Sequence, residues 1–340
     1  MVESGVIRNT KIPKNSASDV RKRIALIVPV SVFEPAETLQ ECAEYLNNLD
    51  FGGMECMIVF SFDGDESDDR ARMLRKYGFE VLARNTRRGK RAGAINDALD
   101  HLRKFKPDFV AILDVDSRPE EGVIPRCADA VRNGVFIASA RRRISNPVNS
   151  TTRAVEFEYR LIGFLLKHSG FRQFNGLIGV LDGDTLFRHR LNEDALTEDA
   201  DFSTRMHCKG LKAELVDGFF YEQSPLTWRD FFEQRKRWYY GGLELWKYLP
   251  DVLKSGNAAF VTSWISALTL TFFPSLFIPF ILLSLPSLLL YYGKDGFGTF
   301  VGFIVYSLVL QAASISAIFN FLRNKGVEWK AVKRMEQLKS

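Results

Sequence analysis

Two aspartates, Asp114 and Asp116, stand out in this chain because their type and spacing suggest chemistry. They follow an apolar run, Phe109–Leu113, that is typical of a buried strand. Carboxylates two residues apart at a strand end point to one side and can share a hard cation such as Mg²⁺ or Mn²⁺. Such cations take many of their remaining ligands from phosphate oxygens. An isolated pattern this short is more often an exposed turn. Its position after an apolar strand raises the odds of a metal and diphosphate site but does not decide between the two.

A cationic stretch at residues 87–91, Arg-Arg-Gly-Lys-Arg, precedes a helix that the sequence predicts to begin near Gly93. Cations and the free N–H groups of a helix N-terminus both suit a phosphate. Lys90 and its neighbours are therefore candidate phosphate ligands. Taken alone, the stretch is explained equally well as a solvated basic loop.

Two further acids, Glu198 and Asp199, directly follow Thr197. A carboxylate in this position could act as a general base. The simpler interpretation is a helix N-terminus with Thr197 as its cap. The two interpretations are compatible, because a capped helix can still present a carboxylate to a ligand.

The segment Trp228–Tyr248 is rich in both aromatic and charged residues, and it contains Gln-Arg-Lys-Arg-Trp at positions 234–238. Arginines can grip a diphosphate, and an indole can stack on the face of a sugar. The alternative is an amphipathic helix at a membrane surface, with its rings at the depth of the lipid headgroups. We expect both properties, carried by different residues.

The elements that must position these residues alternate between strands and helices. The predicted strands cover residues 23–29, 54–62, 80–83 and 109–113, and the predicted helices cover residues 36–49, 67–77 and 93–105. This alternation predicts an α/β fold with a mostly parallel sheet, which binds ligands at the carboxyl ends of its strands. Asp63 ends the second strand, so we expect it close to Asp114 and Asp116.

Composition divides the chain into two parts. The 340 residues carry a net charge of +5, with 46% hydrophobic and 26% charged residues. Residues 255–322, however, contain only two charges, Lys294 and Asp295. This composition argues against an intrinsically disordered protein and makes a purely soluble enzyme a less favoured class. The four cysteines form no CxxC pair and the four histidines are scattered, which excludes a zinc-site spacing and favours a reduced compartment.

The nearly uncharged part predicts two membrane spans that form a C-terminal helical hairpin. Residues 258–292 and 297–322 are each long enough to cross a bilayer, and three prolines interrupt the first. A buried core hairpin of a soluble protein is the less favoured alternative. Residues 1–23 and 323–340 each carry a net charge of +4, which suggests an anionic bilayer rather than nucleic acid. The basic tail predicts an integral membrane protein of the cell membrane whose globular part is cytoplasmic. No apolar run precedes Ile24, so we expect no cleavable signal peptide.

Taken in order, five short motifs resemble those of the family 2 glycosyltransferases. The resemblance is closest to the membrane-bound branch of cellulose, chitin and hyaluronan synthases and glucosylceramide synthase, over about residues 24–245. The motifs that carry it are Asp63-Gly64, Gly89-Lys90, Asp114-Val-Asp116, Thr197-Glu-Asp199 and Gln234-x-x-Arg237-Trp238. The resemblance implies a GT-A (Rossmann-like) catalytic domain at 24–226, an interfacial segment at 227–256, and a transmembrane region at 257–322.

The resemblance also implies roles for individual residues in an inverting transfer from a UDP-sugar. Asp199 would be the catalytic base, and Glu198 and Trp238 would contact the acceptor. Asp116, with Asp114, would hold a divalent metal, Mn²⁺ or Mg²⁺. The implied nucleotide-sugar ligands are Glu34, Asp63, Lys90, Asp114, Gln234, Arg235 and Arg237. Glu34 stands in a first-strand motif that is one residue longer than the family's, which is a departure from the pattern.

The prediction is therefore a membrane-bound, metal-dependent glycosyltransferase that acts on a lipid-linked or glycan acceptor near the bilayer, with a homo-oligomer left open. One alternative is a processive polysaccharide synthase whose channel needs several copies or a partner, because two helices cannot enclose a polymer channel. Another is a membrane-anchored protein that binds nucleotide sugars without turnover. A third is nucleotidyl transfer, which would release pyrophosphate but would not explain the motif at 234–238.

Overall fold

The structure is a computed structural model that describes residues 22–327. Most of the predicted basic N-terminal segment and most of the predicted basic tail lie outside these residues. The described strands are β1 Arg23–Val30, β2 Glu55–Asp63, β3 Glu80–Arg84, β4 Phe109–Ile112, β5 Arg118–Pro119, β6 Ile137–Ile144, β7 Gly179–Asp182 and β8 Ala213–Glu222.

The helices connect these strands and then form a C-terminal group. The helices are α1 Ala36–Asn47, α2 Asp69–Lys76, α3 Lys90–His101, α4 Val123–Arg132, α5 Ser150–His168, α6 Gly183–His189, α7 Glu198–Cys208, α8 Trp228–Glu244, α9 Leu249–Lys254, α10 Ala258–Leu270, α11 Ile278–Tyr292 and α12 Asp295–Leu322. Short 3₁₀ turns occur at Asn175–Leu177, Leu245–Tyr248 and Pro274–Phe277.

All eight strands form one open sheet in the order β3-β2-β1-β4-β7-β6-β8-β5. The first four in this order pair in parallel, as the sequence predicts, and β6 also pairs with β8 in parallel. β7 runs antiparallel to both of its neighbours, and β5 is antiparallel to β8. The sheet is therefore mixed, and the predicted mostly parallel character holds best in its N-terminal half.

The core lies on both faces of the sheet, which explains the unbroken apolar sequence of β1. Ile24, Leu26 and Val28 pack on one face, whereas Ala25 and Ile27 pack on the other, and all five are fully buried. Side chains alternate across a strand, so a strand covered by helices on both faces must be apolar throughout. This double layer holds the carboxyl ends of β1, β2 and β4 in one rigid edge.

Helix α3 begins three residues earlier than the sequence predicts. Gly89 caps it with a φ of 64°, and Lys90 also has a positive φ, 48°. A Cβ at Gly89 would lie 2.6 Å from a carboxylate oxygen of Glu193, so only glycine fits there. The backbone therefore turns sharply inside the cationic stretch, and a non-glycine residue in this conformation marks a position that its surroundings enforce.

The C-terminal group supplies part of what the predicted membrane hairpin requires. Among the described residues one helix, Gly296–Leu322, is long and apolar enough to cross a membrane. A second is counted only if Ala258–Leu270 and Pro274–Leu283, which are bent by 89°, are taken as one broken span. Length and composition alone are weak evidence, because the core helix of a soluble protein meets the same criteria. The membrane hairpin is not confirmed.

The N-terminal part of α10 packs on the globular domain. Trp264 is fully buried, and its indole Nε1 donates a hydrogen bond to Thr204 Oγ1 of α7 at 3.1 Å. Phe260 is also fully buried and stacks on His207 of α7, with ring centroids 5.2 Å apart. The apolar sequence of this segment is thus explained in part by packing against the domain.

Candidate active site

Three aspartates lie at the carboxyl edge of the sheet, as the sequence predicts. Asp63 is the last residue of β2, and Asp114 and Asp116 come just after β4, with β1 between these two strands. The Asp63 carboxylate accepts a hydrogen bond from Arg84 Nη1 at 2.5 Å, and burial raises its pKa. Arg84 also binds Asp97 of α3 at 2.8 Å. The side chain of Asp63 is thereby fixed against the start of α3.

Asp114 accepts two hydrogen bonds from Arg91. Arg91 donates to Asp114 Oδ1 from both Nε and Nη2, at 3.0 and 2.9 Å. The Asp114 N–H contacts Ser117 Oγ at 3.2 Å, and the Ser117 N–H returns a bond to the Asp114 carbonyl at 2.9 Å. The aspartate pair therefore does occupy a tight turn, so the two interpretations of this motif apply together.

Asp116 is buried, with 8% of its surface exposed, and its Oδ2 accepts a hydrogen bond from the Gln223 N–H at 2.9 Å. Two carboxylates at the end of a strand are a suitable donor set for Mn²⁺ or Mg²⁺, which fill their remaining positions with phosphate and water oxygens. Within residues 22–327, no group of three or more His, Cys, Asp or Glu side chains is placed to hold a metal ion. A metal here would therefore depend on a phosphate-bearing ligand.

The two acids Glu198 and Asp199 begin α7, opposite the aspartate pair. Asp199 is held by backbone groups: Oδ2 accepts from the Gly176 N–H at 2.6 Å and Oδ1 from the Ala200 N–H at 2.8 Å. Glu198 Oε1 accepts from Arg91 Nη1 at 2.9 Å. Burial raises the pKa of Glu198, and Arg91 partly offsets this. Thr197 precedes the helix but makes no side-chain capping bond, so the capping interpretation is wrong in that detail.

The turn Asn175–Leu177 lies between the two acidic motifs and was not predicted as part of the site. Gly176 has a φ of 63°, its N–H binds Asp199, and its carbonyl accepts from Arg91 Nη2 at 2.6 Å. A Cβ added at Gly176 would lie 3.1 Å from Arg91 Nη2 and 3.5 Å from Asp114 Oδ2. The Asn-Gly pair signals a turn in the sequence, but nothing in it predicts which carboxylate the turn binds.

Arg91 is the main residue that the sequence analysis did not single out. Its guanidinium donates hydrogen bonds to Asp114 from Nε, to Glu198 from Nη1 and to the Gly176 carbonyl from Nη2. It thus joins the motif after β4 to the motif that begins α7. Its only signal in the sequence is its place in the cationic stretch, where it was grouped with its solvent-facing neighbours.

Helix α8 presents two of its arginines to different surroundings. Positions 235 and 237 differ by about 200° around a helix, so their side chains leave opposite faces. Burial lowers the pKa of Arg237, whereas Glu198, Asp199 and Asp114 raise it, so Arg237 lies among the carboxylates of the site.

Arg235 points the other way, into the packing between α8 and α5. It is 2% exposed, its Nη2 lies 2.5 Å from Glu158 Oε2, and its guanidinium lies 3.9 Å from the centroid of the Trp238 ring. The Arg235 guanidinium therefore forms a buried ion pair through Nη2 and packs on an aromatic ring, while Nε and Nη1 are buried without a hydrogen-bond partner among the described residues. This placement favours a structural role over the predicted diphosphate contact.

Helix α8 also touches the acidic motif at close range. A Cβ at Gly241 would lie 2.3 Å from Thr197 Oγ1 and 2.9 Å from Thr197 Cβ, so only glycine allows this approach. One turn further, Glu244 Oε2 accepts from the Leu196 N–H at 3.1 Å. Contact at two successive turns sets the position of α8 relative to Glu198 and Asp199.

The remaining predicted residues border the site without forming its central contacts. Lys90 is exposed, and Gln234 and Trp238 are half-buried. Glu34 is half-buried in the segment after β1, where its backbone carbonyl accepts from Arg70 Nη1 at 2.8 Å.

The cysteines are poor nucleophiles in this structure. Burial raises the pKa of Cys42, Cys56 and Cys127 to about 12 and that of Cys208 to about 11. The thiolate is the reactive form, so little of it exists near neutral pH. The site therefore has acids and cations suited to displacement by a substrate group, with no activated thiol among the described residues.

Comparison with known proteins identifies the class to which this fold and site belong. Residues 109–315 match the family described as "Glycosyl transferase family group 2", which covers more than half of the chain. The chain belongs to this family. The predicted family and the predicted enzyme class, a glycosyltransferase, are confirmed.

Similar curated proteins include plant enzymes. "Probable glucomannan 4-beta-mannosyltransferase 2" of Oryza sativa subsp. japonica is 27% identical over 183 residues, which are 51% of this chain and 32% of the relative. "Glucomannan 4-beta-mannosyltransferase 7" of Arabidopsis thaliana is 24% identical over 197 residues, 55% of this chain and 35% of the relative. The chain thus spans about a third of the length of these curated relatives.

Solved structures share the fold at low sequence identity. A mannosyltransferase from Pyrobaculum calidifontis, PcManGT, in complex with GDP-Man and Mn²⁺, superposes with a TM-score of 0.63 at 20% identity, covering 91% of this chain and 89% of that one. S. aureus TarS in complex with UDP-GlcNAc gives a TM-score of 0.50 at 13% identity, covering 91% and 94%. The mixed open sheet is therefore GT-A-like.

Proposed function

We propose that this chain transfers a hexosyl group, with inversion, from a nucleoside diphosphate sugar to an acceptor hydroxyl near a membrane. The observation that carries the proposal is the joining of Asp114 and Glu198 by one arginine, Arg91, with Asp199 fixed beside them. This arrangement supports the proposal, because it holds the proposed general base near the edge that we propose binds the diphosphate. Single displacement requires that geometry and no enzyme nucleophile.

Asp199 is the proposed general base. Two backbone N–H groups hold its oxygens, so the carboxylate has a fixed direction. It would take the proton from the acceptor hydroxyl as that oxygen attacks the anomeric carbon. Glu198 and Trp238 are proposed to contact the acceptor sugar, the second by stacking.

The donor diphosphate is proposed to lie along the carboxyl edge of the sheet. Asp63 and Asp114 would contact the nucleoside, with Glu34 as a further candidate ligand. Lys90 and Arg237, assisted by Gln234, would bind the diphosphate as it leaves. Asp116 with Asp114 would hold Mn²⁺ or Mg²⁺, which when bound neutralises the charge that develops on the leaving diphosphate. We do not include Arg235 among these ligands, because its guanidinium is buried against Glu158 and Trp238.

The identity of the donor is proposed as a choice between two nucleotides. The motif resemblance favours a UDP-sugar, which S. aureus TarS binds in its complex with UDP-GlcNAc. The relatives are named as mannosyltransferases, and PcManGT is in complex with GDP-Man. GDP-mannose is therefore the first donor to test beside the UDP-hexoses.

The acceptor is proposed to be lipid-linked or close to the bilayer, with the catalytic domain, residues 24–226, on the cytoplasmic face. The support is α12, which meets the length and apolarity of a membrane span, and the charge-free sequence around it. The segment 227–256 contributes α8 to the site, and 257–322 is proposed as the membrane-associated region. The proposal leaves the number of copies open.

The experiment is a screen for release of nucleoside diphosphate by the purified full chain. UDP- and GDP-hexoses are supplied with Mn²⁺, with and without a membrane lipid extract. We expect UDP or GDP release that needs one donor, increases with the lipid extract and stops when EDTA removes the metal. Donor binding without release would instead support a non-catalytic binding protein, and release of pyrophosphate would support nucleotidyl transfer. A ladder of products on a gel, rather than one added sugar, would support the processive synthase.

A further inference from the structure

Helix α5 exposes a row of large apolar side chains on the surface of the catalytic domain. The exposed fractions are 51% for Phe157, 50% for Leu161, 63% for Phe164 and 55% for Leu165. Their spacing of four, three and one residues places them on one face of the helix, over about 12 Å of its length. Four large apolar residues on one solvent-facing stripe indicate a surface that binds something.

The opposite face of α5 is packed firmly, so the row is not the result of a loosely attached helix. Val155 and Tyr159 are buried against the C-terminal helices, and Glu158 forms the ion pair with Arg235 of α8. The helix also begins with a capping box in which Asn149 Oδ1 accepts from the Thr152 N–H at 3.0 Å. The direction of the apolar row is therefore fixed by the fold.

Three cations border the row along one side. Arg153, Arg160 and Lys167 are spaced seven residues apart, almost two helical turns, so they form a line parallel to the helix axis. All three are exposed, and Arg160 also contacts Glu156 at 2.9 Å. An apolar stripe with a basic border is the pattern of a helix that lies in the headgroup region of an anionic bilayer.

Both ends of α5 meet the apolar C-terminal segments. At its start, Ser150 lies against Gly302 of α12, where an added Cβ would be 3.6 Å from the Ser150 Cβ. Near its middle, the Phe157 ring lies 4.7 Å from that of Phe303, also in α12. Just after its end, the Gly170 N–H donates to Ser263 Oγ of α10 at 2.9 Å. The helix that carries the exposed row therefore contacts both α10 and α12, which belong to the nearly uncharged part of the chain at residues 255–322.

We propose that α5 lies on the membrane, with Phe157, Leu161, Phe164 and Leu165 inserted at the boundary between headgroups and acyl chains. Arg153, Arg160 and Lys167 would contact anionic lipid headgroups at that depth. This rests on the proposed membrane association and extends it, since it assigns the bilayer contact to the catalytic domain as well as to α12. A second copy of the chain is a poorer occupant, because four side chains on about 12 Å of helix expose far less than the roughly 800 Å² per partner of a stable interface.

The test places a fluorescent label in the row and asks whether lipids reach it. The full chain carrying Leu161→Cys or Leu165→Cys is labelled with NBD and reconstituted in phosphatidylcholine vesicles that contain doxyl-labelled lipids. Asp129→Cys, at an exposed position on α4, is the control for the soluble surface, and Leu308→Cys on α12 is the control for a membrane segment. The parent chain, labelled in parallel, corrects for its own cysteines.

We expect the labels at 161 and 165 to lose most of their fluorescence to doxyl lipids, as the label at 308 does, while the label at 129 keeps its own. Quenching at 308 without quenching at 161 or 165 would overturn the α5 proposal and leave the membrane association intact. No quenching at any position would overturn both. Crosslinking between two copies of the Leu161→Cys variant through the introduced thiol, with no lipid quenching, would assign the row to an oligomer and also overturn the proposal.

A second measurement tests the three cations that border the row. Phosphatidylglycerol added to the vesicles should increase the quenching at 161, and Arg153→Gln, Arg160→Gln and Lys167→Gln combined should remove that increase. A matched surface variant, Arg132→Gln on α4, should leave the increase unchanged. An increase that persists in the triple variant would contradict the role of these cations.

Discussion

Asp199 and Arg91 have different proposed tasks, since Asp199 is the proposed base and Arg91 joins the two acidic motifs. Asp199 is oriented by two backbone N–H groups, and Arg91 ties the neighbouring Glu198 to the aspartate pair across the site. Backbone donors do not change their protonation, so they hold the base without competing for its proton. The arginine sets the distance between the donor edge and the base. These roles predict different outcomes when each residue is replaced.

Asp199→Asn should abolish most turnover while the protein stays folded. The amide oxygen can still accept from the Gly176 N–H, while the bond that the second carboxylate oxygen accepts from the Ala200 N–H is lost, and the amide cannot take a proton. General-base catalysis contributes about 10²–10⁴ in rate, and we expect a loss of that order in kcat with little change in donor affinity. The measurement is nucleoside diphosphate release together with donor binding. Asp194→Asn, an exposed aspartate of the same segment, should be near the parent. Full turnover in Asp199→Asn would exclude Asp199 as the base.

Arg91→Lys should lower kcat more than it raises KM. One ammonium cannot replace a planar group that bonds two carboxylates and a carbonyl at once, so the donor edge and the base lose their fixed spacing. Displacements of about 1 Å at a reacting centre can cost about 10²-fold in rate. Arg88→Lys is the matched control, because Arg88 is 54% exposed and its carboxylate partners are Asp97 and Glu193, outside the site. Equal losses in the two variants would contradict the proposal, because they would show that the loss does not depend on the contacts particular to Arg91.

The pH dependence separates positioning by Arg91 from a merely structural role. Burial raises the pKa of Glu198 and Arg91 lowers it, so removal of the guanidinium leaves Glu198 protonated up to a higher pH. In Arg91→Gln, the acidic limb of the kcat/KM profile should therefore move to higher pH relative to the parent. A carboxyl whose folded pKa is raised also costs stability as the pH rises towards that pKa, so thermal stability of this variant should fall over the same range. An unmoved acidic limb would contradict the electrostatic role.

At the scale of elements, α8 brings one arginine to the site and keeps another away from it. Arg237 lies among the carboxylates, whereas Arg235 pairs with Glu158 of α5. The close contact of Gly241 with Thr197 and the hydrogen bond from the Leu196 N–H to Glu244 set the position of α8 relative to Glu198 and Asp199. The placement of α8 therefore links the C-terminal helices to the proposed base.

Gly241→Ala should reduce turnover, whereas Gly242→Ala should not. A Cβ at Gly241 would lie 2.3 Å from Thr197 Oγ1, which forces α8 away from the acidic motif. At Gly242 the nearest atoms lie 3.7 Å away, an ordinary contact. Both changes replace glycine by alanine, the best helix former, and each should stabilise the helix by about 1 kcal/mol. The gain in helix propensity is therefore the same in the two variants and cancels when they are compared. Turnover and thermal stability of the pair would be measured together. Equal activities would contradict the proposed contact.

At the scale of the whole molecule, the apolar C-terminal helices differ in how they pack on the rest of the protein. Helix α12 packs against α8 and α5 on one side, yet Leu308 and Phe319 are more than half exposed. Part of α10 instead packs on α7 through Trp264. The molecule therefore has one segment that fits a span and another that is shared between the domain and its surroundings.

Leu308→Arg should release a measurable fraction of the chain from membranes. A charge at the centre of a span costs about 2.5–3.5 kcal/mol on insertion scales, whereas an exposed position in water would accept it freely. Leu308→Ala, which removes volume but adds no charge, is the control. The measurement is the fraction that stays with the membrane pellet after an alkaline carbonate wash. Identical fractions for the parent and both variants would contradict a lipid-facing position for Leu308.

Part of the fold and of the candidate site could be predicted from the sequence, because the signals for them are local. The apolar run at Phe109–Leu113 predicted β4, and the acids that follow it were expected at the sheet edge where they lie. The motif order predicted the family. The charge-free stretch at 255–322 predicted apolar helices, although not their arrangement. Each of these follows from neighbours in the chain, through strand alternation, helical periodicity or the length of an apolar run.

Only the tertiary structure decided which of these residues meet. The contact between Arg91 and Glu198 joins residues 107 positions apart, and that between Arg235 and Glu158 joins residues 77 apart. Such pairs depend on how strands are ordered and helices are packed, which no local pattern encodes. The sequence by itself therefore determined the chemical groups and the family. The fold decided that Arg91 joins the acidic motifs, that Arg237 and not Arg235 faces them, and that α5 turns an apolar row outward.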